Sequence, residues 1–200
     1  MYGLYTPNNT VYGCAFGHGL VIERALKRRP FKPFLILEDD ALHEPIVNPS
    51  IILPSNADAY HLSTSNVGID ILSKRVVRDN IYFSRTEIPN VKRVYGMLSA
   101  RAVLILTEEF ARSWQRCSIE ACALLVPIDV LTGLTHHLYH VYAQQHPFFY
   151  QSYGLGGRED ETRFDLEGTQ IPDIDVLDVL GLLNSGTSHV SSIMAEVLRI

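Results

Sequence analysis

The stretch FLILEDD, residues 34–40, joins four apolar residues to three carboxylates. The apolar run follows two prolines and predicts a short strand buried on both faces. Three adjacent negative charges at a strand end repel one another, and a divalent cation is the most economical opposing charge. In open α/β sheets, ligands bind beyond the carboxyl ends of the strands. We therefore expect a metal and a phosphorylated ligand at Glu38, Asp39 and Asp40. The alternative is that the three acids form a solvated turn that caps the next helix.

The length, composition and charge of the chain limit the classes of protein to which it could belong. The chain has 200 residues, 46% hydrophobic and 20% charged, which suits one globular domain with a sizeable core. A net charge of -5 gives no electrostatic footprint for nucleic acid. Three cysteines without a CxxC pair favour a reducing compartment over a disulfide framework. We see no signal-peptide pattern and no apolar run long enough for a transmembrane segment, so a cytoplasmic protein is expected.

Glycines mark the start of the first predicted helix, which runs from Gly13 to Arg29 on apolar residues at helical spacing. Gly13, Gly17 and Gly19 surround its first turn, where a ligand could approach the backbone and an anion would be favoured. His18 lies on the same turn, and it reads either as a packed histidine or as a ligand contact.

Later segments predict a mixed succession of strands and helices. Strands are predicted at 59–63, 91–98 and 138–143, with one or two irregular strands over 68–87. Ser99 is predicted to cap a helix over 100–117, and a second helical stretch over 119–134 is interrupted by Pro127. Asp129 is the one acid in the apolar run Pro127-Ile128-Asp129-Val130-Leu131.

Four segments together resemble glycosyltransferase family 25, the lipopolysaccharide-biosynthesis and collagen-galactosyltransferase group with a GT-A-type fold. The segments are residues 13–18 (GCAFGH), 34–41 (FLILEDDA), 95–102 (YGMLSARA), and 127–129 (PID) with 147–151 (PFFYQ). They resemble the family's Gly-Cys-x-x-Ser-His turn, its strand ending in Glu-Asp-Asp, its strand-to-helix segment, and its Pro-x-Asp and Pro-x-x-x-Gln end, in the same order. The likeness covers residues 12–151. Each motif is weak alone, and their order gives the signal its specificity.

The resemblance implies an α/β fold: a single GT-A-like (Rossmann-like) domain with a mixed, mostly parallel sheet flanked by helices. Nothing before Gly13 resembles the strand with which members begin, so we expect that N-terminal strand unit to be missing. The glycosyltransferase-like domain is expected over residues 1–153. Residues 154–200 are expected to form a mobile loop and a C-terminal helical tail, with short helices over 174–183 and 190–198.

The resemblance also assigns roles. Glu38, Asp39 and Asp40 resemble the DxD-type element that holds Mn²⁺ or Mg²⁺ against the donor diphosphate, where the metal acts as a Lewis acid. Asp129 resembles the acid that meets the acceptor, and it is expected to be the general base or to orient it. His18, Gly13 and Glu38 are expected to contact the donor. His146 is either a further metal ligand or a surface histidine.

The expected activity is that of a metal-dependent glycosyltransferase moving a hexose from a nucleotide sugar, a UDP-hexose, to a glycan hydroxyl. A divergent member that binds sugar or nucleotide without turnover is the first alternative. A metal-dependent phosphohydrolase using the acid triplet with His136, His137 and His140 is the second, although these histidines lack a clear ligand spacing.

Overall fold

The computed structural model describes residues 8–43, 51–70, 75–151, 166 and 168–171. The helices are α1 (Asn8–Leu26), α2 (Glu108–Leu124) and α3 (Ile128–Thr135), followed by a 3₁₀ turn at His136–Leu138. The strands are β1 (Phe34–Leu37), β2 (Ala41–His43), β3 (Ala59–His61), β4 (Val67–Ile69), β5 (Val76–Arg78), β6 (Ile81–Arg85), β7 (Val91–Tyr95), β8 (Ala102–Ile105), β9 (Val141–Gln144), β10 (Phe149–Gln151) and β11 (Gly168–Gln170). In the described ranges, no helix combines the length and the apolar character that crossing a membrane requires.

A mixed sheet forms the centre of the fold, in the strand order β1-β8-β3-β9-β7-β6-β11. The predicted α/β class with a mixed sheet flanked by helices is confirmed. The expectation of a mostly parallel sheet is wrong, because among the strand pairs of this sheet in the described residues only β3·β9 and β6·β11 are parallel. Parallel neighbours need a crossover of a dozen or more residues, and a link as short as residues 86–90 between β6 and β7 permits only antiparallel pairing.

Alternation along the strands divides the core between the two faces of the sheet. In β8, Val103 and Ile105 face the cluster that holds the helices, whereas Ala102 and Leu104 belong to the cluster on the other face. The helix-side cluster includes Phe110, Ala111 and Trp114 of α2 and Ala15 and Ile22 of α1, among others. The three helices therefore cover one face, and residues 51–57 and 148–149 contribute to covering the other.

The position of β1 differs from the prediction. The strand exists over Phe34–Leu37 as expected, but it pairs with β8 alone and lies at an edge of the described sheet. Only Ile36 is buried, while Leu35 and Leu37 are 40% and 49% exposed. The expectation of burial on both faces is wrong, because Ile36 faces the helix-side core whereas Leu35 and Leu37 point to the opposite face of β1 and stay exposed.

The residues after Ser99 form a strand, so the predicted helix over 100–117 is wrong in its first part. Ala102–Ile105 pairs with β1 on one side and β3 on the other, and such two-sided pairing outweighs the helix signal of Ser99. The N-cap is Thr107, whose Oγ1 accepts a hydrogen bond from the Phe110 amide at 3.3 Å. The predicted interruption at Pro127 is confirmed, because α3 begins at the next residue.

Part of the predicted tail contributes to the main sheet. Leu166 is buried in the helix-side core, and β11 pairs in parallel with β6. The predicted helices over 174–183 and 190–198 lie outside the described residues, as do residues 1–7.

Replacement of Gly96 by alanine tests the turn that follows β7. Gly96 has φ +76°, and an added Cβ would lie 2.6 Å from the carbonyl oxygen of Ile69. We expect Gly96→Ala to lower the free energy of unfolding by about 2 kcal/mol or more. The cost of a left-handed conformation for alanine adds to the cost of the steric clash with the Ile69 carbonyl. Denaturation by urea measures the change. Gly17→Ala is the matched control: its Cβ meets nothing within 4 Å inside α1, and it should stabilise by about 0.5–1 kcal/mol. Equal effects at the two positions would contradict the account of the turn.

Candidate functional site

Helix α1 begins earlier than its glycines suggested. It starts at Asn8, and the rings of Tyr12 and Phe16 stack one turn apart at 5.8 Å, a pair that supports the early turns. Gly13 therefore lies inside the helix, and the prediction that the first turn falls at the glycines is wrong. The backbone amides of a helix interior are paired and offer no anion site. Gly13 as a donor contact stays a prediction.

The close packing of α1 against α2 determines which side of α1 faces β1. The Ser118 hydroxyl of α2 donates to the carbonyl of Ala15, and a Cβ on Gly19 would lie 2.7 Å from the Ser118 Oγ. Gly19 thus serves the helix contact. Trp114 of α2 stacks on the His18 ring, with centroids 5.9 Å apart and planes 10° apart. His18 is 6% exposed, so its ring orientation is set by this packing.

The Glu38 carboxylate is the centre of the site. His18 Nε2 lies 3.3 Å from Glu38 Oε1, and Cys14 Sγ donates to the same oxygen at 3.5 Å. Cys14 and His18 are one helical turn apart and share a face. The Glu38 amide donates to the Arg101 carbonyl at 2.8 Å, which ties the end of β1 to the start of β8. Glu38 thus contacts two separate segments, through its side chain to α1 and through its backbone to Arg101.

These contacts shift the pKa values of the two acidic groups in opposite directions. Burial alone would raise the pKa of Glu38, but hydrogen bonds from His18 and Cys14 and the charges of His18 and Arg101 lower it overall. Burial, with the nearby Glu38 charge, raises the pKa of the Cys14 thiol to about 12. The cluster without a cation therefore holds an ionised carboxylate against a neutral thiol.

Asp129 joins this cluster from the first turn of α3. Burial raises the pKa of its carboxyl, and the Glu38 charge raises it further, while the Val130 amide and the Arg101 charge oppose them. Its Oδ1 is buried and has no hydrogen-bond partner among the described residues. Asp129 is therefore close enough to Glu38 for the Glu38 charge to affect its pKa. Its carboxylate is also desolvated, and desolvation makes a carboxylate a stronger base.

Two residues of the cluster were missed at the level of sequence. Arg101 is half-buried, donates to the Thr64 carbonyl at 3.4 Å, and lowers the pKa of both Glu38 and Asp129 through its charge. Cys14 precedes His18 by four residues, so helical spacing was the signal that could have paired them. Nothing in the sequence pattern distinguishes Arg101 from other arginines.

In the described ranges, the three carboxylates of the acid triplet do not form one group of neighbouring ligand atoms. Among the described residues, the group whose possible ligand atoms lie together is Cys14, His18 and Glu38, within 4.8 Å of one another. Asp39 is exposed in the turn after β1, and Asp40 is half-buried, where its charge helps to raise the pKa of Cys14. Successive side chains at a strand end point in different directions. Asp39 and Asp40 as metal ligands stay predictions, and His146 is exposed.

A second polar group lies deep in the core. His61 of β3 and His136 of the 3₁₀ turn are fully buried, with ring centroids 5.2 Å apart. In the described ranges, none of their four ring nitrogens has a hydrogen-bond partner. Burial lowers the pKa of His61 to about 3, and burial together with His61 and His137 lowers that of His136 far below its ordinary value. Both histidines are therefore neutral and closed to a substrate.

Comparisons with known proteins return no relative: no family model, no curated protein and no solved structure matches this chain.

Proposed function

We propose that this chain is a glycosyltransferase that moves a hexose from a nucleotide sugar, a UDP-hexose, to a hydroxyl of a glycan acceptor. One observation carries the proposal. The four segments singled out by motif, far apart in sequence, supply Cys14 and His18, Glu38, Arg101 and Asp129, which influence one another at a single place. Chance motif matches scattered along a chain would have no reason to converge.

Asp129 is proposed as the general base that deprotonates the acceptor hydroxyl, or as the group that orients that base. A base works best when its pKa approaches the working pH, and the desolvation of this carboxyl moves its pKa upward. Its place in the first turn of α3 keeps it where the Glu38 charge acts on it.

Arg101 and His18 are proposed to contact the diphosphate of the donor. A guanidinium binds phosphate oxygens through paired, charge-assisted hydrogen bonds. The Arg101 charge already acts on two acidic groups at the site, and it would stabilise the negative charge that develops on the leaving nucleoside diphosphate. His18 stays in place through its contact with Trp114.

The donor atoms around Glu38 do not fit the hard cation that the resemblance implies. Mg²⁺ demands an octahedron of oxygens, whereas Glu38 faces a thiol and an imidazole. Mn²⁺ or Mg²⁺ at Glu38, Asp39 and Asp40 stays a prediction of the resemblance. No step of the transfer proposed here depends on that ion.

Release of nucleoside diphosphate from a panel of nucleotide sugars, with and without glycan acceptors, tests the proposal. Release that requires both acceptor and enzyme supports transfer. Binding of the nucleotide without release supports the non-catalytic alternative. Absence of binding to every donor contradicts both. The phosphohydrolase alternative loses support, because His136 is buried against His61.

Arg101→Gln is expected to weaken binding of the nucleoside diphosphate by roughly tenfold or more, since a charge-assisted hydrogen bond is worth about 1.5–3 kcal/mol. Calorimetric titration of parent and variant measures the change. Arg112→Gln is the matched control, because Arg112 is exposed on α2 and pairs with Glu108 away from the site. Equal affinities for the parent and Arg101→Gln would remove Arg101 from the donor site.

A further inference from the structure

Three side chains of different chemistry converge beside α1. A thiol, an imidazole and a carboxylate from Cys14, His18 and Glu38 place their possible ligand atoms within 4.8 Å of one another. Cys14 and His18 come from one face of a helix, and the backbone of Glu38 is held by its hydrogen bond to the Arg101 carbonyl. Rigid elements thus position all three.

Two of the three separations match those around a tetrahedral ion, and the third, from Cys14 to His18, is within 4.8 Å. Zn²⁺ binds nitrogen and oxygen at about 2.0–2.1 Å and sulfur at about 2.3 Å, which places tetrahedral neighbours roughly 3.4 Å apart for nitrogen and oxygen and roughly 3.6 Å apart for sulfur and oxygen. The corresponding distances here are 3.3 Å from His18 to Glu38 and 3.5 Å from Cys14 to Glu38. An ion could therefore be bound with small side-chain movements.

The surrounding charge also favours a cation. Asp40 and Asp129 act on Cys14 as further negative charges, in addition to Glu38. Arg101 acts on both Glu38 and Asp129 as a positive charge, and His18 acts on Glu38 as a second one. The three carboxylates outnumber these two positive charges, and a divalent ion would offset the surplus negative charge.

We propose that Cys14, His18 and Glu38 bind a transition-metal ion of the Zn²⁺ type. Thiolate and imidazole ligands select Zn²⁺ and its substitute Co²⁺ over Mg²⁺. Cys14 would release its thiol proton to solvent as the ion binds. Three protein ligands leave the fourth tetrahedral position open, the arrangement of sites that exchange a water for another ligand. The proposal does not rest on the transferase function, since the chain could bind Zn²⁺ and no nucleotide sugar, or the reverse.

The buried side of His18 limits the affinity. Its Nδ1 atom has no hydrogen-bond partner among the described residues, whereas ligating histidines are commonly oriented by such a bond. Loss of that support typically lowers metal affinity roughly 10–100-fold. We therefore expect reversible binding that a strong chelator removes.

Titration of chelator-treated protein with Co²⁺ tests the site. A thiolate ligand produces a sulfur-to-cobalt charge-transfer band in the near ultraviolet, and tetrahedral geometry produces visible bands. We expect both in the parent, their loss on addition of Zn²⁺, and their persistence in excess Mg²⁺. Cys14→Ser should abolish the charge-transfer band and weaken Zn²⁺ binding by more than tenfold, and His18→Gln should weaken it similarly.

Cys122→Ser provides the matched control. Cys122 is a free, half-buried cysteine on α2 outside the group, so this variant should keep the parent spectrum and affinity. Cys14→Ser exchanges one atom and keeps a group that can donate to Glu38, so it should fold as the parent does, and circular dichroism checks this. The proposal is overturned if the parent gives no cobalt bands, or if Cys14→Ser retains the parent's bands and Zn²⁺ affinity.

Discussion

Replacing Asp129 with asparagine is expected to lower hexose transfer by roughly 10²–10⁴-fold while leaving donor binding unchanged, because the amide cannot accept the acceptor's proton. Initial rates of nucleoside diphosphate release, measured with saturating acceptor, give the first quantity. Calorimetric titration with the donor gives the second. Separating the two measurements distinguishes loss of the base from loss of the site.

Stability supplies an internal check on Asp129→Asn. The folded-state pKa of Asp129 is raised, so above that pKa the folded protein bears the cost of a desolvated charge. The amide removes this cost, and the variant should unfold at the same or a higher temperature than the parent. Asp79→Asn is the matched control, since Asp79 is exposed and its φ of 55° suits asparagine. Equal transfer rates for the parent and Asp129→Asn would exclude Asp129 from the mechanism.

Mild acid is expected to destabilise the fold through His61 and His136. Their folded-state pKa values lie far below the ordinary 6.5, so the unfolded chain binds more protons once the pH falls under that value. The free energy of unfolding that the protein has at neutral pH therefore falls progressively as the pH drops below about 6.5. The loss reaches up to about 2 kcal/mol per histidine by about pH 5. Urea denaturation at several pH values measures it.

His61→Leu should flatten this pH dependence. An apolar side chain of similar size removes both the proton site and two buried nitrogens that have no partner in the described ranges. His136 remains, so we expect about half of the acid-induced loss to persist. His146→Gln removes an exposed histidine and serves as control, with the parent's pH profile expected. A profile for His61→Leu that matches the parent would contradict the account of the buried pair.

Local patterns predicted those elements whose signal lies within a few residues. The strand at Phe34–Leu37, the strands near residues 59–61 and 91–95, and the break at Pro127 all follow from apolar runs and proline. The exposure of β1 and the strand at Ala102–Ile105 could not be read in this way. Both depend on which strand lies beside which, and strand order is a property of the whole chain.

The site was predictable in part for the same reason. Sequence motifs singled out His18, Glu38 and Asp129 as candidate site residues. In the structure, Glu38 lies next to His18 and close enough to Asp129 to affect its pKa. The involvement of Cys14 required the helix to extend through Gly13, and that of Arg101 required β1 to pair with β8. Glu38 is half-buried and Asp39 is exposed because of the turn after the strand. A run of three acids does not predict the geometry of that turn.

Trp114 offers the most direct test of the central claim, that the convergence around Glu38 forms a nucleotide-sugar site. It is the chain's one tryptophan, and it stacks on His18. Titration with nucleoside diphosphate hexoses, followed by Trp114 fluorescence and by calorimetry, should give a saturable change for one nucleotide, which Arg101→Gln shifts to higher concentration. A flat fluorescence trace and no heat of binding for every nucleotide sugar would contradict the claim.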